Sequence, residues 1–291
     1  MQVIFHCGAH GTEEDRLVKT LQRNQERFRA HGTAVPLPGK YRYLLKDCIA
    51  ALQDGTATAG SGDVLWDAIL EEEEVQRVLL SNAHFFGSPR QSIDGSRFYP
   101  EAEERLRSLQ QLFAQDQIEL FIGLRNPATL LPVLLENAHP DRRAQVLQAL
   151  DPYRLRWSDL LFRLRQAVPE VKITTFCFED MPLIWAEIIR DMSGIAADER
   201  LNGGMDLLSA IMDREGMRRL RQYLAQHPDL SQPQRHRVFA AFLDKYVDED
   251  ALVEEIDLPG WNDTLVEDVT ALYEADMGRI RSIPGVTLLT P

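Results

Sequence analysis

Four short runs of β-forming apolar residues, separated by long stretches of helical periodicity, constrain this chain more than any other feature: Met1 to Cys7, Val75 to Leu80, Ile118 to Leu124 and Val171 to Phe178. The first run is broken by Gly8-Ala9-His10-Gly11-Thr12, after which Leu17, Leu21 and Phe28 fall on one face of an amphipathic stretch. Strands that alternate with helices fold through right-handed crossovers into a mainly parallel sheet. Phe121 to Leu124 and Ile173 to Phe178 are nearly continuous in apolar character, as strands covered on both faces are. The pattern predicts an α/β fold, a three-layer sandwich with a mainly parallel sheet and a helical C-terminal third.

Strand signals fade after Asp180. Helical periodicity continues through Pro182 to Met192, Met205 to Ala225, Gln234 to Tyr246 and Asn262 to Ile283. No linker composition precedes this part, so residues 1–291 read as a single domain, with 181–285 a mostly helical portion packed on it. Asp54 to Asp63 and Gly87 to Pro100 are dense in Gly, Ser, Asp or Pro and read as loops.

Composition narrows the function. Lys and Arg number 32 against 45 Asp and Glu, a formal net charge of −13, which repels phosphate backbones and anionic lipid. Neither a nucleic-acid partner nor a membrane is expected. The cysteines are Cys7, Cys48 and Cys177, without a CxxC pair or zinc-ligand spacing, so no disulfide framework or structural metal is expected. The opening apolar run is too short for a signal-peptide core, and a cytoplasmic protein is expected. Glu71 to Glu74 and Asp248-Glu249-Asp250 read as solvated faces, because consecutive carboxylates on a helix diverge. The basic cluster Arg214 to Arg221 reads the same way, while Met205, Leu208 and Met212 read as core. A Walker-type G-x-x-x-x-G-K-[ST] and a G-x-S-x-G elbow are both absent. Cys7 is expected to be a buried small hydrophobe rather than a thiolate.

In an open parallel sheet, ligands bind beyond the carboxyl ends of the strands. Three loops would converge there: Gly8 to Asp15, His84 to Arg97, and Arg125-Asn126-Pro127. His84, just after a strand, is the best-placed general base, with His10 and His6 in or beside the first loop.

These loops carry a resemblance. FHCGAHGTEEDRLVKTLQRN (Phe5 to Asn24) and LFIGLRNP (Leu120 to Pro127) resemble the bacterial branch of the sulfotransferase family, which has a P-loop NTPase-like fold and uses 3'-phosphoadenosine 5'-phosphosulfate. Gly8, Ala9, His10, Thr12 and Leu17 fall in register with that family's first loop, and Arg125 and Pro127 match its R-x-P element. Further similarity runs through Asp151 to Asp180 and the terminal Trp261 to Pro291. The resemblance implies sulfuryl transfer to a hydroxyl or amine of a small-molecule acceptor. Gly8, Ala9, His10, Gly11, Thr12 and Arg125 would bind the donor, with no metal, and His84 would take the proton.

The departures from the pattern define a rival expectation. Gly11 stands where the family has its Lys, Glu13-Glu14-Asp15 replace the Gly-Thr-Thr that follows, and Val133 stands where a phosphate-binding Ser is found. A carboxylate about 4 Å from a phosphate opposes it by roughly 4 kcal/mol at an effective dielectric near 20. The alternative is therefore a non-catalytic binding or scaffolding protein, a pseudoenzyme whose first-turn carboxylates occupy the former anion site. In a third reading, those acids attract a cation or an amine.

Overall fold

The structure is a computed structural model that describes residues 1–12, 14–55, 61–70, 74–136, 138–252 and 258–291; Glu14, Ser61 and Leu252 are described by their backbone. In chain order, the first part comprises β1 (Gln2–His6), α1 (Glu14–Arg23), α2 (Gln25–Ala30), β2 (Thr33–Ala34), α3 (Pro38–Gln53), α4 (Ser61–Ile69) and β3 (Arg77–Ser81). The strands β4 (Ile93–Asp94) and β5 (Arg97–Phe98) follow, then α5 (Ala102–Leu112), β6 (Gln117–Leu124), α6 (Pro127–Glu136), α7 (Pro140–Ala149), α8 (Trp157–Ala167) and β7 (Lys172–Cys177). The remainder is α9 (Met181–Ser193), α10 (Leu208–Ile211), α11 (Arg214–Gln226), α12 (Gln232–Tyr246), α13 (Glu249–Leu252), α14 (Asp263–Ile280) and β8 (Val286–Leu289).

Six strands form one sheet in the order β2-β3-β1-β6-β7-β8, every neighbouring pair parallel. All four expected strands are present. Alternate residues of β1 face opposite layers: Val3 and Phe5 enter a core with Leu45, Leu106, Leu120 and Leu161, whereas Ile4 packs with Leu17, Leu79, Phe121, Phe176 and Trp185. Helices thus cover the sheet on both sides, α3, α5 and α8 on one and α1 and α9 on the other, which accounts for the apolar runs of β6 and β7.

Four features depart from the sequence-based expectation. Thr33–Ala34 and Val286–Leu289 add an edge strand at each side of the sheet. Gly87 to Pro100 is not plain loop, because it contains the β4-β5 antiparallel hairpin and a turn of 3-10 helix at Pro89–Gln91. Met205 to Ala225 is not one helix: Asp213 interrupts it, its carboxylate accepting from the Gly216 amide at 2.6 Å and capping α11. The expected loop Asp54 to Asp63 lies partly outside the described residues and ends inside α4.

The helical C-terminal third has two parts. α9 lies in one of the two sheet-covering layers, through Ile184, Trp185 and Ile188, while α14 joins the other through Tyr273 and Ile280. Asp276 of α14 is 1 % exposed and accepts from the Ser158 amide (3.0 Å) and hydroxyl (2.5 Å), placing a carboxylate at the start of α8, where the helix dipole favours it. α10, α11 and α12 build a small core of their own around Leu208, Met212, Met217 and Leu220. A hydrogen-bonded contact of His236 in α12 with Glu187 in α9 ties that unit to the sheet. As expected, Arg218 and Arg219 are exposed, on the Glu215 carboxylate, and Glu74 and Asp248 to Asp250 are exposed; Glu71 to Glu73 lie outside the described residues. No helix among the described residues is long and apolar enough to cross a membrane.

Candidate functional site

Because β1, β3 and β6 run parallel and adjacent, the segments leaving their carboxyl ends meet at one edge of the sheet. The first loop crosses β6 closely. The Ala9 amide donates to the Gly123 carbonyl (2.8 Å) and the Gly123 amide to the Gly8 carbonyl (2.5 Å). A Cβ on Gly123 would lie 3.1 Å from the Phe176 ring and 3.4 Å from the Gly8 oxygen, so glycine within this strand is what lets the loop lie against it. The Thr12 hydroxyl folds back to donate to the Ala9 carbonyl at 2.7 Å.

Arg125 enters the same loop. It is 6 % exposed, and its guanidinium donates to the Gly11 carbonyl and, from Nε, to the Thr129 hydroxyl at 3.1 Å, while stacking 4.4 Å from the Phe178 ring centre. Gly11 has φ +74°, and a Cβ there would fall 2.9 Å from Cγ1 of Val133. Gly11 is thus held in a left-handed conformation with Val133 against it. The expected filling of the loop by acids is corrected for Asp15, which is exposed to solvent; Glu13 and the Glu14 side chain lie outside the described residues. The Arg125 guanidinium engages the loop, and Val133, itself partly exposed, lies beside Gly11. Arg16 and Lys19 are both exposed on α1.

His10 and His84 lie together at the mouth. Their ring centres are 5.0 Å apart, with planes at 84°. His10 is 7 % exposed; its amide donates to the Tyr99 hydroxyl (3.0 Å), and its Nδ1 pairs with that hydroxyl at 2.9 Å. Nε2 of His10 is buried and has no hydrogen-bond partner. Burial, and then the neighbouring His84, push the His10 imidazole down to about 4, so it is neutral near pH 7. His84 is exposed; its amide donates to Oδ1 of Asn82 at 3.1 Å, which caps a turn of 3-10 helix at Ala83–Phe86. Tyr99 has φ +44°, unusual for a side-chain-bearing residue, and such backbone outliers gather at functional sites. His6 lies deeper, its Nδ1 bonded to the Ser81 hydroxyl at 2.9 Å, and is pushed to about 3 by burial and by the Arg42 charge. Cys7 is buried, and burial raises its thiol far above the ordinary range, consistent with an inert side chain.

Behind Arg125 a polar network fixes the third loop. The Glu179 carboxylate accepts from the Asn126 amide (2.8 Å) and the Tyr273 hydroxyl (2.9 Å), and burial raises its pKa despite these bonds. Asn126 donates from Nδ2 to the Thr270 hydroxyl (2.8 Å) and accepts at Oδ1 from the Ala128 amide (3.0 Å). The Trp157 indole donates to the Arg125 carbonyl at 2.9 Å. Arg125 is thereby held from both its backbone and its side chain.

The structure therefore brings Gly8, Ala9, His10, Gly11, Thr12, His84 and Arg125 to one edge, as the sequence predicts. Sequence reasoning missed Tyr99, Thr129, Phe178 and Glu179. Phe178-Glu179 directly follows β7, a strand-end position that marks it as facing the crevice; Tyr99 has no local signal beyond lying in a loop already singled out. No family model matches the chain, and no curated protein matches it significantly.

Proposed function

We propose that this chain is a sulfotransferase-like protein with a closed donor loop, acting as a non-catalytic binding or scaffolding protein rather than as a sulfuryl transferase. One observation carries the reading: the Arg125 guanidinium, the cation that would grip a donor phosphate, is engaged by the Gly11 carbonyl of the loop itself. Two loop amides, those of Ala9 and His10, are engaged as well, by Gly123 and Tyr99. Gly11 supplies no charge for the bridging oxygen, so transfer would lack the electrostatic stabilisation on which such catalysis chiefly rests.

The test is binding of 3',5'-adenosine bisphosphate, the nucleotide product of such transfers, followed by calorimetry and thermal unfolding. A ligand at a hundred times its dissociation constant stabilises a protein by about 2.7 kcal/mol. The expectation is no saturable heat and no stabilisation at millimolar nucleotide. Saturable binding that disappears in Arg125→Ala would overturn the proposal and restore the transferase, with the phosphosulfate donor on Gly8 to Thr12 and His84 as base.

A further inference from the structure

From the His10–His84 pair we infer a binding site for a divalent transition-metal ion, of the imidazole-preferring kind that includes zinc, nickel and copper. The inference goes beyond the closed-loop reading and does not depend on it: a metal ion would use the His10 and His84 ring nitrogens, whereas the nucleotide test turns on the Arg125 guanidinium.

The first ground is the state of His10. Its Nδ1 is committed to the Tyr99 hydroxyl at 2.9 Å, and its Nε2 is buried with no protein partner. The hydroxyl accepts the His10 amide proton, and in the tautomer whose Nδ1 proton is given to the same oxygen the lone pair lies on Nε2. An imidazole whose far nitrogen is held by an oxygen acceptor is the usual arrangement of a metal-ligating histidine, because the outer bond fixes both tautomer and ring orientation.

The second ground is the position of His84. Two imidazoles that share a tetrahedral ion at about 2.0–2.1 Å from each nitrogen have ring centres about 5 Å apart; the observed separation is 5.0 Å. No hydrogen bond holds the His84 ring among the described residues, and it faces solvent, so it can turn about its side-chain torsions to meet an ion arriving from outside. Its backbone stays fixed by the Asn82 cap.

The donor set decides which ions fit. Two neutral nitrogens suit borderline ions and do not suit magnesium or calcium, which demand oxygen ligands. No group of three or more His, Cys, Asp and Glu side chains forms a metal cluster among the described residues, so the remaining positions would be taken by water or an exogenous ligand. Such a site is open and exchangeable, unlike a closed structural one. The net charge of −13 favours approach of a cation.

The experiment is calorimetric titration of the full chain, stripped with chelator, with zinc sulfate and with nickel sulfate, against His84→Ala, Tyr99→Phe and His139→Ala. His84 is exposed, so its substitution leaves the fold intact; His139 is a surface histidine remote from the pair in sequence and serves as the control. The expected result is one ion per chain, at least tenfold weaker in His84→Ala, roughly tenfold or more weaker in Tyr99→Phe through loss of the outer bond, and unchanged in His139→Ala. Failure of the wild-type chain to bind either ion stoichiometrically overturns the inference. So does equal affinity in His84→Ala, which would assign the ion to other surface groups, or equal affinity in Tyr99→Phe, which would remove His10 from the site. Binding of 3',5'-adenosine bisphosphate has no bearing on this outcome, so the two proposals fail separately.

Discussion

If Arg125 is a latch for the first loop, removing its charge must destabilise the protein in the absence of any ligand. Arg125→Met keeps an unbranched apolar stem against Phe178 and deletes the guanidinium. A hydrogen bond to a charged group contributes about 1.5–3 kcal/mol net of desolvation, and the bond to the Gly11 carbonyl is of that kind. The ring contact at 4.4 Å adds about 0.5–1 kcal/mol. The expected loss is therefore about 3 kcal/mol, or ~6 °C in Tm at about 2 °C per kcal/mol for a protein of this size. Urea unfolding followed by circular dichroism should show a lower midpoint at constant slope, since the folded and unfolded surfaces change little. The opposite mechanism gives the opposite sign. A cation held in readiness for a phosphate destabilises the empty protein, and deleting it relieves that strain. Arg125→Met as stable as the parent, or more stable, would falsify the latch and with it the argument for a closed loop.

Two further outcomes follow from the same geometry. Gly11→Ala should lose at least about 1 kcal/mol, the cost of a left-handed conformation for an L-residue, plus the contact with Val133. Adding Val133→Ala should restore the contact part alone, and full recovery in urea melts would contradict the role assigned to φ +74°. His6 and His10 are held at about 3 and about 4, below the ordinary 6.5, so the unfolded chain takes up protons first as pH falls. Stability present at pH 7 should then drain between about pH 6.5 and 4, at about 1.4 kcal/mol per pH unit for each histidine. Glu179, whose pKa burial raises, acts in the other direction at the acid end of that window. Denaturation midpoints that stay level from pH 7 to 4.5 would show that the two imidazoles are not buried neutral.

The strands that carry the site were legible because they are long and apolar on both faces; the edge strands were not, for physical reasons. Thr33–Ala34 is too short to show any period, and β8 is only half-buried, so its alternation is weak. The break in Met205 to Ala225 did have a signal, an Asp three residues before a Gly at the cap, which helical periodicity alone overrides. At the site, sequence places Gly11 and Arg125 in loops that converge and says little about how their groups meet. Gly11, Arg125 and Val133 meet only through the β1–β6 pairing, and neither a left-handed glycine nor a cation turned inward leaves a local trace. His10 and His84 were found together because they follow neighbouring strands. Tyr99, which orients one of them, reaches the site by way of a hairpin too short to be read.

The placement of β1 between β3 and β6 bears on how the molecule comes into being. Its residue Gln2 has Arg77 as neighbour on one side and Gln117 on the other, so β1 has no strand partner in this sheet until much later sequence is available. Contacts of such long range are slow to form, and unpaired apolar segments are prone to stick to one another while they wait. During synthesis, Val3, Ile4 and Phe5 therefore stay without their strand neighbours until β3 and then β6 have been made. Variants that delay β6 should aggregate during expression even where the finished protein is stable.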